Sequence, residues 1–243
     1  MLHRFSRTEL IIGRQGLDKL KKSTVAVFGV GGVGSFAVES LARSGIGRLL
    51  LIDHDIVDLT NINRQIHALE STVGLPKVDL MKQRVLEINP DAEVEAIRAF
   101  YSPDNGEHLL AGNLDYIIDA IDNITGKIDL IIRARQKGIR IVSAMGAGNK
   151  LDPSSFEVAD ISETSVCPLA RVLRRELKKA GIVTGVKVVY SREQSLTPLK
   201  IEGMAALPGK RTPGSVSFVP PVAGMILTGV VVRDILGIST QLT

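Results

Sequence analysis

The run VAVFGVGGVGS at residues 25–35 constrains this chain more than any other feature. An apolar, strand-like stretch runs directly into Gly29, Gly31, Gly32 and Gly34, and helical periodicity follows. In such a strand–turn–helix unit the glycines let the backbone approach a phosphate, and the helix N-terminus favours negative charge. Asp53 ends the next apolar run, 19 residues after Gly34. A carboxylate there can accept hydrogen bonds from ribose hydroxyls. This much serves NAD and ATP equally.

Short apolar runs continue to alternate with helical periods through the first two-thirds, the pattern of a mainly parallel, Rossmann-like α/β sheet. Strands are expected at 24–28, 48–52, 93–99, 115–121 and 140–144, and helices at 34–44, 76–88, 103–110 and 125–137. An amphipathic helix over 8–22 precedes them. Pro76 suits a first helical turn, and Gly45 and Gly138 suit helix C-caps. Beyond about residue 150 the alternation stops. A strand at 156–161, a basic helix at 167–180 and a strand at 186–191 are expected, then a long mobile loop over 192–215 rich in Gly, Pro, Ser and Lys. An apolar helix over 220–236 with small residues at Ala223, Gly224 and Gly229 reads as buried or dimer-facing, with a membrane-touching helix as the alternative. Residues 1–160 are thus expected to form a nucleotide-binding, Rossmann-like core with an N-terminal arm. Residues 161–243 form a basic subregion integral to the same domain.

Composition removes several function classes. Hydrophobic residues at 44% and charged residues at 23% suit a globular core. Aromatics at 4%, with no Trp, leave few stacking platforms. One Cys excludes a disulfide framework and any paired CxxC zinc site, and fits a reducing cytoplasm. No apolar run reaches the ~20 residues of a membrane span, and the opening MLHRFSRTEL lacks the apolar stretch of a signal peptide. Residues 1–160 carry 19 Lys and Arg against 21 Asp and Glu, whereas residues 161–243 carry 11 against 5. A neutral core with a basic appendage suits an anionic partner.

The segment after Asp53 separates ATP from NAD. It reads HDIVDLTNINRQIH, followed shortly by TVGLPKVD. A dehydrogenase needs only the acid here. This chain adds Asp55, Asn61, Asn63, Arg64 and Gln65, then Lys77 at a helix start. An Arg fork and a Lys point charge beside a glycine loop suit a triphosphate undergoing substitution at phosphorus. IIDAIDN supplies Asp119, Asp122 and Asn123, groups able to hold Mg²⁺ or order phosphates.

Together GVGGVG, LID at 51–53, TNINRQ at 60–65, GLPKV at 74–78 and AIDN at 120–123 resemble the adenylating domain of the ThiF/MoeB/HesA superfamily, over roughly residues 4–160. The resemblance implies that Asp53 holds ribose, that Asn61, Arg64 and Lys77 handle phosphates, and that Asp122 binds Mg²⁺. In RFSR at 4–7 it places Arg7 at the ATP of a homodimer partner. Within the superfamily, NRQIHA at 63–68, INPDA at 88–92, SAMGAGNKLDP at 143–153, DISETSVCPLARVLRRELKK at 160–179 and the segment 215–237 resemble tRNA threonylcarbamoyladenosine dehydratases. That implies adenylation of the threonylcarbamoyl carboxylate on tRNA, with sulfur-transfer or helper proteins as further partners. The longer members have extra sequence between the basic helix and the last helix, so contacts there do not transfer. Activation of a small ubiquitin-like or sulfur-carrier protein is the alternative, and the missing zinc cysteines argue against it. Arg171, Arg174, Arg175 and Lys178 follow i, i+3, i+4, i+7, one cationic helix face suited to tRNA phosphates. Cys167 lies where relatives place a catalytic Cys, though a small buried hydrophobe is the simpler reading. His54 and His67 offer proton acceptors, though polar contacts near the site are the simpler reading.

Overall fold

The computed structural model describes residues 2–199 and 213–238. Seven strands form one sheet in the order β3-β2-β1-β4-β5-β7-β6. They are β1 (Thr24–Phe28), β2 (Arg48–Ile52), β3 (Glu93–Ile97), β4 (Tyr116–Asp119), β5 (Arg140–Ala144), β6 (Phe156–Asp160) and β7 (Lys187–Ser191). Neighbours from β3 to β7 pair in parallel, and β6 closes one edge antiparallel to β7. Because β7 pairs with β5 and β6 pairs with β7, the sheet runs continuously across residue 160.

The register sets the site. Phe28 lies level with Ile52 on one side and Asp119 on the other, and Asp119 lies level with Ser143. Four strands therefore end along one rim. β1 sits between β2 and β4, where the winding reverses. Open parallel sheets bind ligands at such a switch point, outside the carboxyl ends of the strands.

The strands are apolar on both faces because helices cover both. Val25, Val27, Leu49 and Leu51 face one cluster, under α2 (Gly34–Ser44), α3 (Lys77–Ile88) and α7 (Val219–Leu236). Ala26, Phe28, Leu50 and Ile52 face the other, under α5 (Ile124–Gln136) and α6 (Pro168–Lys179). A Cβ on Gly34 would lie 1.8 Å from the Gly29 carbonyl oxygen, so only glycine lets α2 start this close to β1. Gly224 does the same between α7 and α2, where a Cβ would lie 2.3 Å from the Val33 carbonyl.

Several expectations need correction. The helix expected at 103–110 is the single turn α4 (Gly106–Leu109). The N-terminal helix α1 (Ser6–Lys22) breaks at Gly13, whose φ of 70° is left-handed, so a smooth amphipathic helix is not what forms. Of the small residues of α7, Ala223 and Gly224 follow the buried alternative, whereas Gly229 is half-buried. Ala223 and Gly224 are buried against α2, and the Thr228 hydroxyl donates to the Ala37 carbonyl at 3.0 Å. By length and composition α7 could cross a membrane, yet Leu227, Val230 and Val231 are spent on the core. Residues 200–212 of the expected mobile loop lie outside the described residues.

Candidate active site

The loops leaving β1, β2, β4 and β5 enclose a cavity of about 340 Å³. Gly29, Gly31, Gly32 and Val33 form its floor, with Asp53, Asp55, Asn61, Arg64, Gln65, Lys77, Ala120 and Asp122 around it. Gly29 has φ +86°, and a Cβ there would strike the Ala120 carbonyl at 2.6 Å. The N–H groups of Gly31, Gly32 and Val33 donate to nothing among the described residues. They stand at the start of α2, where an anion is favoured.

Each side chain is placed by local chemistry. Asp53, buried at the end of β2, accepts from the Val30 N–H at 2.6 Å and the Asp55 N–H at 2.8 Å. It therefore ties the glycine loop to β2 as well as lining the cavity. The sharp turn after it is capped by Asp58, which accepts from Thr60 N–H, while Asn61 accepts from the Asp58 N–H. That turn sets Arg64, whose guanidinium donates to the Thr60 carbonyl at 2.8 Å and Asn63 Oδ1 at 2.9 Å. Partial burial lowers the Arg64 pKa, with the Asp58 charge opposing. Among the described residues it is a cation without a carboxylate in salt-bridge range, suited to an incoming anion. Lys77 is buried, and its Nζ lies 2.7 Å from Asp55 Oδ2. Asp122 is exposed at the mouth.

Five expected site residues do other work here or lie off the cavity lining. Asp119 is fully buried, bonded to Lys127 Nζ at 2.8 Å and to the Ser143 hydroxyl at 2.5 Å. Burial raises its pKa while Lys127 and Ser143 pull against that, so it is no exposed metal ligand. Asn123 caps α5 by accepting from the Thr125 and Gly126 N–H groups. Asn63 points outward and donates to the Ser215 carbonyl at 2.9 Å. Gly34 packs under the loop instead of lining the cavity. Arg7 is exposed on α1, away from this chain's own cavity lining.

Among carboxylates, Asp122 fits a hard cation beside phosphates, since it is exposed and lines the cavity. Asp53, His54 and Asp55 also bring ligand atoms within 4.8 Å of one another. Lys77 already neutralises part of that trio.

Part of the lining was missed by sequence reasoning: Ala147, Gly148, Pro213, Gly214, Ser215 and Pro220. Their only local sign is glycine and proline in GAGNK and PGS. His67 is buried with both ring nitrogens unpartnered among the described residues, and burial with nearby Lys77 and Arg84 lowers its pKa to about 4. Cys167, the N-cap residue of α6, is buried in the core, which supports the reading as a small hydrophobe. On α6, Arg174 is turned inward to the Thr164 carbonyl at 2.7 Å, and Arg175 pairs with Glu176. Arg171 and Lys178 are exposed without an ion pair among the described residues. Beyond α6, Lys187 and Arg192 are paired with Asp234 and Glu157.

The ThiF family model matches residues 5–242. The chain belongs to the ThiF family. Among relatives of this ThiF protein, tRNA threonylcarbamoyladenosine dehydratase of Bacillus subtilis (strain 168) is 52% identical over 243 residues, covering 97% of this chain and 96% of the relative. The Escherichia coli K12 protein of the same name is 41% identical over 202 residues, covering 80% and 75%. The crystal structure of E. coli TcdA, the tRNA N6-threonylcarbamoyladenosine dehydratase, in complex with ATP superposes with a TM-score of 0.88 at 35% identity. That match covers 99% of this chain and 96% of the other. The ThiF fold here is therefore shared end to end with a nucleotide-bound enzyme.

Proposed function

We propose that this chain is an ATP-dependent tRNA threonylcarbamoyladenosine dehydratase. The observation that carries the reading is the convergence of unbonded glycine-loop N–H groups, Arg64 and Lys77 in one cavity at the sheet's switch point. A chain matched nearly end to end by dehydratases of that name adds the substrate.

The chemistry follows from the carboxylate. Its oxygen is a poor leaving group, so it needs activation. A carboxylate oxygen attacks the α-phosphorus of ATP, an O–P bond forms, and pyrophosphate leaves with the electron pair of the broken P–O bond. The glycine-loop N–H groups and Arg64 hold the phosphates, and Lys77 balances the charge that develops on the leaving group. Mg²⁺ near Asp122 would neutralise phosphate charge. The carbamoyl oxygen then attacks the activated carbonyl, AMP departs, and the carbamoyl nitrogen loses a proton. Ring closure is intramolecular, so effective concentration drives it. Buried Cys167 is not required as a nucleophile.

The working unit is a homodimer in which Arg7 completes the neighbour's site. Arg7, Leu10 and Ile11 share one helical face at i, i+3, i+4, and Leu10 and Ile11 are 87% and 86% exposed. Arg171 and Lys178 on α6 meet tRNA phosphates. The test is exchange of labelled pyrophosphate into ATP. Exchange should depend on tRNA carrying threonylcarbamoyladenosine and be absent with unmodified tRNA or small carrier proteins. Exchange with a carrier alone would overturn the reading.

A further inference from the structure

The cavity has a second wall that the nucleotide-binding residues do not explain. β5 ends at Ala144, and the Met145 N–H still donates to the Val189 carbonyl at 2.8 Å. The next three N–H groups, of Gly146, Ala147 and Gly148, donate to nothing among the described residues. Ala147 and Gly148 line the cavity. The turn then closes at Asn149, held at φ 58°. Asn149 is clamped twice to the strap Pro213–Ser215: its N–H donates to the Gly214 carbonyl at 2.8 Å, and its Oδ1 accepts from the Gly214 N–H at 2.6 Å. Asn63 fastens the far end of the strap by donating to the Ser215 carbonyl. The fit leaves no slack, because a Cβ on Gly148 would sit 2.9 Å from Pro213 Cβ.

The reaction needs such a wall. A carboxylate must approach the α-phosphorus of a polyanion, and the glycine loop, Arg64 and Lys77 are committed to that polyanion. Successive main-chain N–H groups attract an anion without carrying a mobile charge. We propose that the Gly146–Gly148 turn, held by the Pro213–Ser215 strap, is the acceptor subsite: a main-chain cradle for the substrate carboxylate. The proposal rests on the function argued above and adds where the acceptor binds. The cradle holds the carboxylate during O–P bond formation. When the carbamoyl oxygen attacks, the former carboxylate carbonyl oxygen becomes anionic in the same N–H groups, which stabilise it until the bond to AMP breaks.

Two variants test this. Gly148→Ala crowds the turn against Pro213, and Asn149→Gly keeps the left-handed backbone while removing the Oδ1 clamp. Binding is measured with a non-hydrolysable ATP analogue present, using tRNA with and without the threonylcarbamoyl group. The wild type should bind modified tRNA more tightly. Either folded variant should lose that preference, and the KM for modified tRNA should rise at least about tenfold. Affinity for unmodified tRNA and for ATP should stay within about twofold, because a Cβ on Gly148 meets Pro213 and Gly214 and not the glycine loop, Arg64 or Lys77. Folding is checked by thermal melting, and Asn149→Gly stands in if Gly148→Ala does not fold. Loss of ATP affinity by the same factor, an intact preference in the variants, or no preference in an active wild type would each overturn the cradle. A wild type without tRNA-dependent exchange would instead overturn the function itself.

Discussion

At the scale of single residues, Arg64 and Lys77 reach one cavity from opposite starting points. Arg64 follows a capped turn and keeps its guanidinium half-buried, whereas Lys77 is buried and already paired with Asp55. Arg64→Ala and Lys77→Ala should each lower adenylate formation by about 10²–10³ with the fold intact, as expected for one preorganised charge on a developing leaving group. Pyrophosphate exchange checks this, and wild-type rates in both would remove them from the site. His67 makes a second prediction through its lowered pKa. The folded protein holds His67 neutral down to about pH 4, whereas the unfolded chain protonates it near 6.5. The unfolded state therefore binds more protons between those values, and stability falls as pH drops through that window. The loss attributable to His67 is about 3 kcal/mol at 1.36 kcal/mol per pKa unit. Urea titrations at pH 7 and pH 4 should show His67→Gln losing less stability than wild type by that amount. Parallel losses would contradict it.

At the scale of elements, α6 shows how a periodic pattern is partly consumed by packing. Arg174 fastens the turn at Thr164, so replacing it would disturb the fold along with the surface. Arg171 and Lys178 are the cleaner probes. Arg171→Glu with Lys178→Glu should weaken tRNA binding across a salt titration, lowering the slope by about one unit for each phosphate no longer neutralised. ATP binding should be unchanged. Identical slopes for variant and wild type would show that the face is only solvated. α7 makes the opposite point: Gly224 serves α2 of the same chain and Leu227, Val230 and Val231 join the core, so its apolar character reports a core helix.

At the scale of the whole molecule, α1 leaves the side chains of Leu10 and Ile11 87% and 86% exposed. Arg7 shares their face and does not line its own cavity. Two defective chains should therefore complement. Mixing Arg7→Ala protein with Lys77→Ala protein should restore roughly a quarter to a half of the activity, because some mixed dimers regain one intact site. Sedimentation should give a dimer. A monomer, or no recovery on mixing, would place Arg7 outside the reaction.

The sequence alone determined the sheet, the glycine loop and the cationic side chains. These are local: an apolar run with β-branched residues makes a strand, glycine allows close approach, and caps end helices within a turn. β1, β2, α2 and β5 appear with the expected bounds for that reason. Tertiary structure decided what depends on distant pairing. It buried Asp119 against Lys127 and Ser143, turned Asn63 toward Ser215, and spent Gly224 on α2. It also brought Gly148 beside Pro213, 65 positions away, to make the second wall of the site. Each of those residues had the right chemistry for several roles. Only the fold, by deciding which groups lost water and which kept it, selected one.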